Sequence, residues 1–165
     1  MTPLILVGVD GCEAFDAPGP LAEDGQLVFL VDASSDVPGA FARRQKDVRT
    51  ALDRNGKIIF LLGPKVAEGL ATQFGCWIRA KIGLDIVPWT EPRDIEPAIV
   101  AGGHGNAAIR FFSGDLPTGA TPLAYGPSHE LAAVRFRSGS ADVIVAPAPS
   151  VLDATTVGAQ LDLLH

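Results

Sequence analysis

Two aspartates close apolar segments near the start of this chain. Asp10 ends "PLILVGVDG" (3–11) and Asp32 ends "QLVFLVDAS" (26–34), with Asp36 two serines later in "DASSD" (32–36). Carboxylates and hydroxyls gathered at one edge are hard oxygen donors of the kind that hold Mg²⁺. Asp10, Asp32 and Asp36, with Glu13 and Ser34 close in sequence, are therefore the candidate metal set of a hydrolase or phosphotransfer enzyme, with His104 or His129 as proton carrier. The same residue types have a plainer use, because Asp and Ser after a strand form Asx-type turns and cap the following helix. That plainer use is the preferred reading. The candidate ligand-contacting residues are Asp10, Cys12, Asp32, Ser34, Ser35, Asp36, Gly63 and His104. No catalytic residue is assigned and no cofactor is expected, Mg²⁺ entering only with the metal-enzyme alternative.

Other chemistry-bearing segments are weaker. "VAGGHGNAAIRFF" (100–112) surrounds His104 with glycines, but a phosphate loop needs a strand before it and a helix after it. The order here reads helix then strand, so "GGHGN" is a helix terminator and turn. His129 and Glu130 lack any spacing that pairs them with Cys76 or His104. Cys12 and Cys76 have no partners at metal spacing and read as free thiols in a reducing compartment. Trp77, Trp89, Phe111 and Phe112 read as core or interface.

These residues need elements to position them. "LVFLV" (27–31) and "IIFLL" (58–62) have the length of strands buried on both faces, far short of the roughly 20 residues of a membrane span. Between them, "AFARRQKDVRTALDRNG" (40–56) puts Phe41, Val48, Ala51 and Leu52 on one helical stripe, and "NG" stops the helix. A helix over 64–75 opens at Pro64 and closes at Gly75. A short strand at 84–89, a short helix within 91–103 and strands at 107–114, 131–139 and 141–150 follow. "RSGSAD" forms the turn of the last hairpin. Strand–helix–strand alternation implies a parallel sheet covered by helices. The expected fold is α/β, a three-layer sandwich with a mostly parallel sheet and an antiparallel edge hairpin near the C-terminus, in a single domain (1–165) that can also be part of a longer protein.

The stretch "QLVFLVDASSDVPGAFARRQKDVRTALDRNGKIIFLLGP" (26–64) and the later "AAVRFRSGSADVIVAPAPS" resemble the core and closing hairpin of class I glutamine amidotransferase-like domains of the non-catalytic, flavodoxin-like type. The likeness spans most of residues 4–150. It implies a fold and no activity: "FGCWIR" around Cys76 lacks the second glycine of a G-x-C-x-G elbow and follows a helix, so no triad is carried over. "DASSD" also resembles the metal motif of von Willebrand A domains, D-x-S-x-S, with Asp36 where the second serine belongs.

The net charge of −6 and pI of about 4.9 exclude nucleic acid as the default partner. The "RRQK" cluster (43–46) reads as a solvated helix face. Composition rich in Ala, Gly, Pro and Arg points to a bacterial source, and no basic leader precedes the first strand, which points to the cytoplasm. The mean hydropathy of +0.26 with only 19% charged residues points to a non-catalytic binding or assembly module with a protein partner or a second copy, and no membrane. The metal-dependent enzyme and a nucleotide or small-molecule sensor are the alternatives.

Overall fold

In the computed structural model, the described residues are 4–7, 26–31, 45–63, 70–83, 88–90, 98–100, 103–105, 109–111, 118–125 and 131–148, with positions 42, 116 and 159. They form ten strands and two helices: β1 (Leu4–Val7), β2 (Gln26–Val31), α1 (Gln45–Asp53), β3 (Lys57–Leu62), α2 (Leu70–Ile82), β4 (Pro88–Thr90), β5 (Ala98–Val100), β6 (Gly103–Gly105), β7 (Ile109–Phe111), β8 (Thr121–Tyr125), β9 (Leu131–Ser138) and β10 (Ala141–Pro147). The main sheet runs β1-β2-β3-β10-β9-β7-β4, with β8 also on β9, and β5 and β6 pair separately. β1, β2, β3 and β10 are parallel neighbours, with Val7 opposite Phe29 and Phe29 opposite Phe60.

The expected side-by-side packing of the first three apolar segments is therefore present, in one direction. The sheet as a whole is mixed, since the pairings of β9 with β10, β8 and β7 and of β4 with β7 are antiparallel. The C-terminal hairpin does not extend an edge. Its second strand, β10, is interior, between β3 and β9. The reason lies in its composition: every residue from Ala141 to Ala148 is buried, as a strand with neighbours on both edges requires.

Alternation along the strands sorts the core. Leu27, Phe29 and Val31, Ile58, Phe60 and Leu62, Val143 and Val145, and Phe136 share one cluster with Val48 and Ala51 of α1 and Phe74, Ile78 and Ile82 of α2. Phe60 is its hub, stacked on Phe29 at 5.5 Å and edge-on to Phe74 and Trp77 at 5.4 and 5.8 Å. Such pairs add roughly 0.5–1.5 kcal/mol each beyond burial. On the opposite face, Val28, Ile59, Leu61, Ile144 and Ala146 are fully buried too.

The "NG" stop of α1 is a division of labour. Asn55 takes the left-handed conformation (φ 57°), and Gly56 donates its N–H to the Ala51 carbonyl at 3.0 Å, the six-to-one bond of a Schellman turn. Gly56 is needed for space, because a Cβ there would sit 2.5 Å from Ala51 Cα. α2 departs from expectation. It does not end at Gly75 but runs on to Ile82, and Gly83 (φ 78°) closes it by donating to the carbonyls of Ile78 and Arg79. A glycine inside a helix costs about 1 kcal/mol, and here the burial of Phe74, Ile78 and Ile82 at four-residue spacing outweighs it.

The β9–β10 turn ties both helices to the sheet. Ser140 donates its N–H to the Leu52 carbonyl of α1 at 2.8 Å, and the Ser138 hydroxyl donates to the Ile82 carbonyl of α2. Each bond satisfies a helix-end carbonyl that has no partner within its own helix. Two glycine substitutions separate the two constraints. Gly56→Ala is expected to destabilise by about 1–3 kcal/mol through overpacking. Gly83→Ala, with open space but positive φ, is expected to cost about 1 kcal/mol. Urea denaturation at unchanged slope reads both, and an equal or reversed ranking would refute the packing role of Gly56.

Candidate functional site

β2, β3 and β10 finish level with one another. Gly63 donates its N–H to the Val31 carbonyl at 2.9 Å, and Ala148 donates to the Leu62 carbonyl at 2.8 Å. The carboxyl-end rim thus contains Val31, to which Asp32 is directly bonded, and the buried Gly63. Of the residues singled out by sequence, Gly63 stands on this rim. Asp10, Cys12, Asp32, Ser34, Ser35 and Asp36 lie outside the described residues, as do Glu13, His129 and Glu130.

His104 is placed differently from the expectation. It lies in β6 opposite Ile99, in a two-stranded hairpin with β5, where the sequence predicted a helix end and turn. The glycines flanking it are strand residues pairing with Ala98 and Val100. Cys76 is exposed on α2. Among the described residues, no three His, Cys, Asp or Glu side chains come together as a metal site.

The strand order bears on this rim as well. In the flavodoxin-like order the first strand lies between the second and third, and the reversal opens a crevice. Here β1, β2, β3 and β10 are each added on the same side of the last, so these parallel strands contain no reversal.

A polar cluster that sequence reasoning did not single out lies at the other end of these strands. Asp142 is 4% exposed, and its carboxylate accepts two bonds from Arg135, Nε to Oδ1 at 2.8 Å and Nη2 to Oδ2 at 2.6 Å. Lys57 is directly opposite Asp142 on β3, and Arg137 is opposite it on β9. The hairpin spacing alone would pair Asp142 with Arg137. The structure instead joins it to Arg135 on the diagonal, which a long guanidinium side chain can span, while Arg137 donates to the Ser140 carbonyl at 3.0 Å. Burial holds the Lys57 amine below the ordinary lysine value. The attraction of Asp142 opposes that shift and repulsion from Arg135 adds to it.

The chain matches no protein-family model and no curated protein. Among the described residues, no helix is long and apolar enough to cross a membrane.

The Lys57 environment has a pH consequence whose sign is fixed. With its folded value lowered, the unfolded chain binds more protons between that value and the ordinary one of about 10.4. Stability is therefore expected to rise with pH across that alkaline window through this group. The difference between wild type and Lys57→Met in chemical denaturation isolates it, the variant losing the rise. A parallel pair of stability curves would contradict the assignment.

Proposed function

We propose that this chain is a binding module without catalytic chemistry of its own, built as a three-layer α/β sandwich with its ligand at the carboxyl-end rim of β2, β3 and β10. The register carries the reading. It brings Val31, Gly63 and Ala148 to one edge through the Gly63–Val31 and Ala148–Leu62 backbone bonds, and Asp32 follows Val31 directly in the chain. Burial of Val28, Ile59, Leu61, Ile144 and Ala146 on the face opposite α1 and α2 supports a third layer. Because the parallel strands contain no reversal, a ligand on this rim is held by the loops that leave it. Neither the strand order nor a matched relative speaks for the amidotransferase-like likeness.

Apolar composition is what points to assembly with a protein partner or a second copy. The doubly buried sheet absorbs much of that content, and among the described residues Tyr125, 51% exposed, is the one large hydrophobic side chain left in water.

Thermal melts with Mg²⁺, Mn²⁺ and nucleotides test the proposal. A ligand at a hundredfold excess over its Kd stabilises by about 2.7 kcal/mol, roughly 5–10 °C for a chain of this size. A shift with nucleotide, lost in Asp32→Asn, supports a sensor-like module. A shift with metal alone, lost in the same variant, turns the reading toward the metal enzyme of Asp10, Asp32 and Asp36. No shift with any of these ligands, together with a concentration-dependent oligomer in sedimentation, would replace the rim proposal with the assembly reading.

A further inference from the structure

We propose that the end of the sheet that carries Lys57, Arg135 and Arg137 is a seat for a phosphoryl-type dianion, distinct from the carboxyl-end rim. Lys57, Asp142 and Arg137 form one cross-strand row, and Arg135 projects into it from the next row of the same face. Thr121 of β8, exposed, is directly opposite Arg135 and adds a hydroxyl to that face.

The buried carboxylate gives the cluster its character. Asp142 fixes the Arg135 guanidinium through Nε and Nη2. A guanidinium carries five donors in a rigid fork, so the Nη1 edge is held in a set orientation with the side chain 39% exposed. Among the described residues the row and its neighbour hold three cations and one carboxylate, in a chain whose net charge is −6. A local positive excess attracts an anion against the field of the whole molecule. Repulsion between Arg135 and Lys57 is one of the forces lowering the Lys57 amine, and a bound dianion would relieve it. A planar fork beside an ammonium suits phosphoryl oxygens in particular.

The experiment is a thermal melt of the full chain in inorganic phosphate against sodium chloride at the same ionic strength, which removes general screening. The expected result is a phosphate-specific rise of several degrees. Arg137→Gln, at an exposed position, is expected to melt near wild type without phosphate and to lose most of the rise. Arg135→Lys, which keeps the charge but not the fork, is expected to reduce it. Asp32→Asn is expected to keep it. A phosphate monoester giving the larger rise would show that the phosphoryl group arrives on an organic carrier. No rise beyond chloride, or an equal rise in wild type, Arg137→Gln and Arg135→Lys, overturns the proposal. Loss of the rise in Asp32→Asn alone overturns it as well, by moving phosphate to the rim.

Discussion

From Ile58 to Leu62, β3 has no side left open to water. Its backbone pairs with β2 on one edge and β10 on the other, its residues from Ile58 to Leu62 are fully buried, and Phe60 is the aromatic hub of the helix-covered face. A buried strand edge without partners would strand a row of N–H and C=O groups, each costing about as much as a lost hydrogen bond. Both neighbours must therefore be in place before the core is complete. One of them, β2, is close in sequence. The other comes from the far end of the chain, with Asp142 opposite Lys57. The sheet is thus closed by a late segment inserted at its centre, and the β9–β10 turn that delivers it also holds the last carbonyls of α1 and α2.

This arrangement explains which parts of the fold were legible. β2, α1 and β3 follow from local signals: two apolar runs of strand length, an amphipathic stripe ending in Asn55–Gly56, and a connection long enough to carry that helix in a parallel crossover. The hairpin of β9 and β10 was legible from "RSGSAD" between two strand-like segments. Its place in the sheet was not, because an interior and an edge position differ in what lies on the second edge, which no local pattern records. The full burial of β10 was the available signal, in the apolar run "ADVIVAPA". Gly75 misled because glycine's preference for helix ends is weak beside three large side chains at four-residue spacing. β5 and β6, three residues each, lie where a short helix and its terminating turn were expected, and β8 was hidden by Pro122 within it and is irregular where it pairs with β9 between Pro122 and Tyr125.

The two candidate sites differ in how they relate to sequence. The rim is legible because strand ends are local events: an apolar run stops, and Asp, Ser or Gly follows. Gly63 is the part of that reading the structure places, beside the residue bonded to Asp32. The cluster of Lys57, Arg135 and Asp142 is a product of register. Its members are brought together by β10 lying between β3 and β9, and even within the hairpin the ion pair is diagonal where direct opposition would select Arg137.

A buried carboxylate in this position calls for a reason beyond stability. Replacing a well-packed buried ion pair by apolar residues of similar volume is often neutral or stabilising, whereas removing one partner is costly. The rest of β10 is apolar from Val143 to Ala148, and an apolar residue at 142 would continue the run. Specifying register is one such reason, since a one-residue slip of β10 against β9 or β3 would take Asp142 from Arg135 and Lys57 and turn it toward the aromatic face. That accounts for one charge pair. It does not require the further cations, Lys57 and Arg137, that the described residues place in the same cross-strand row.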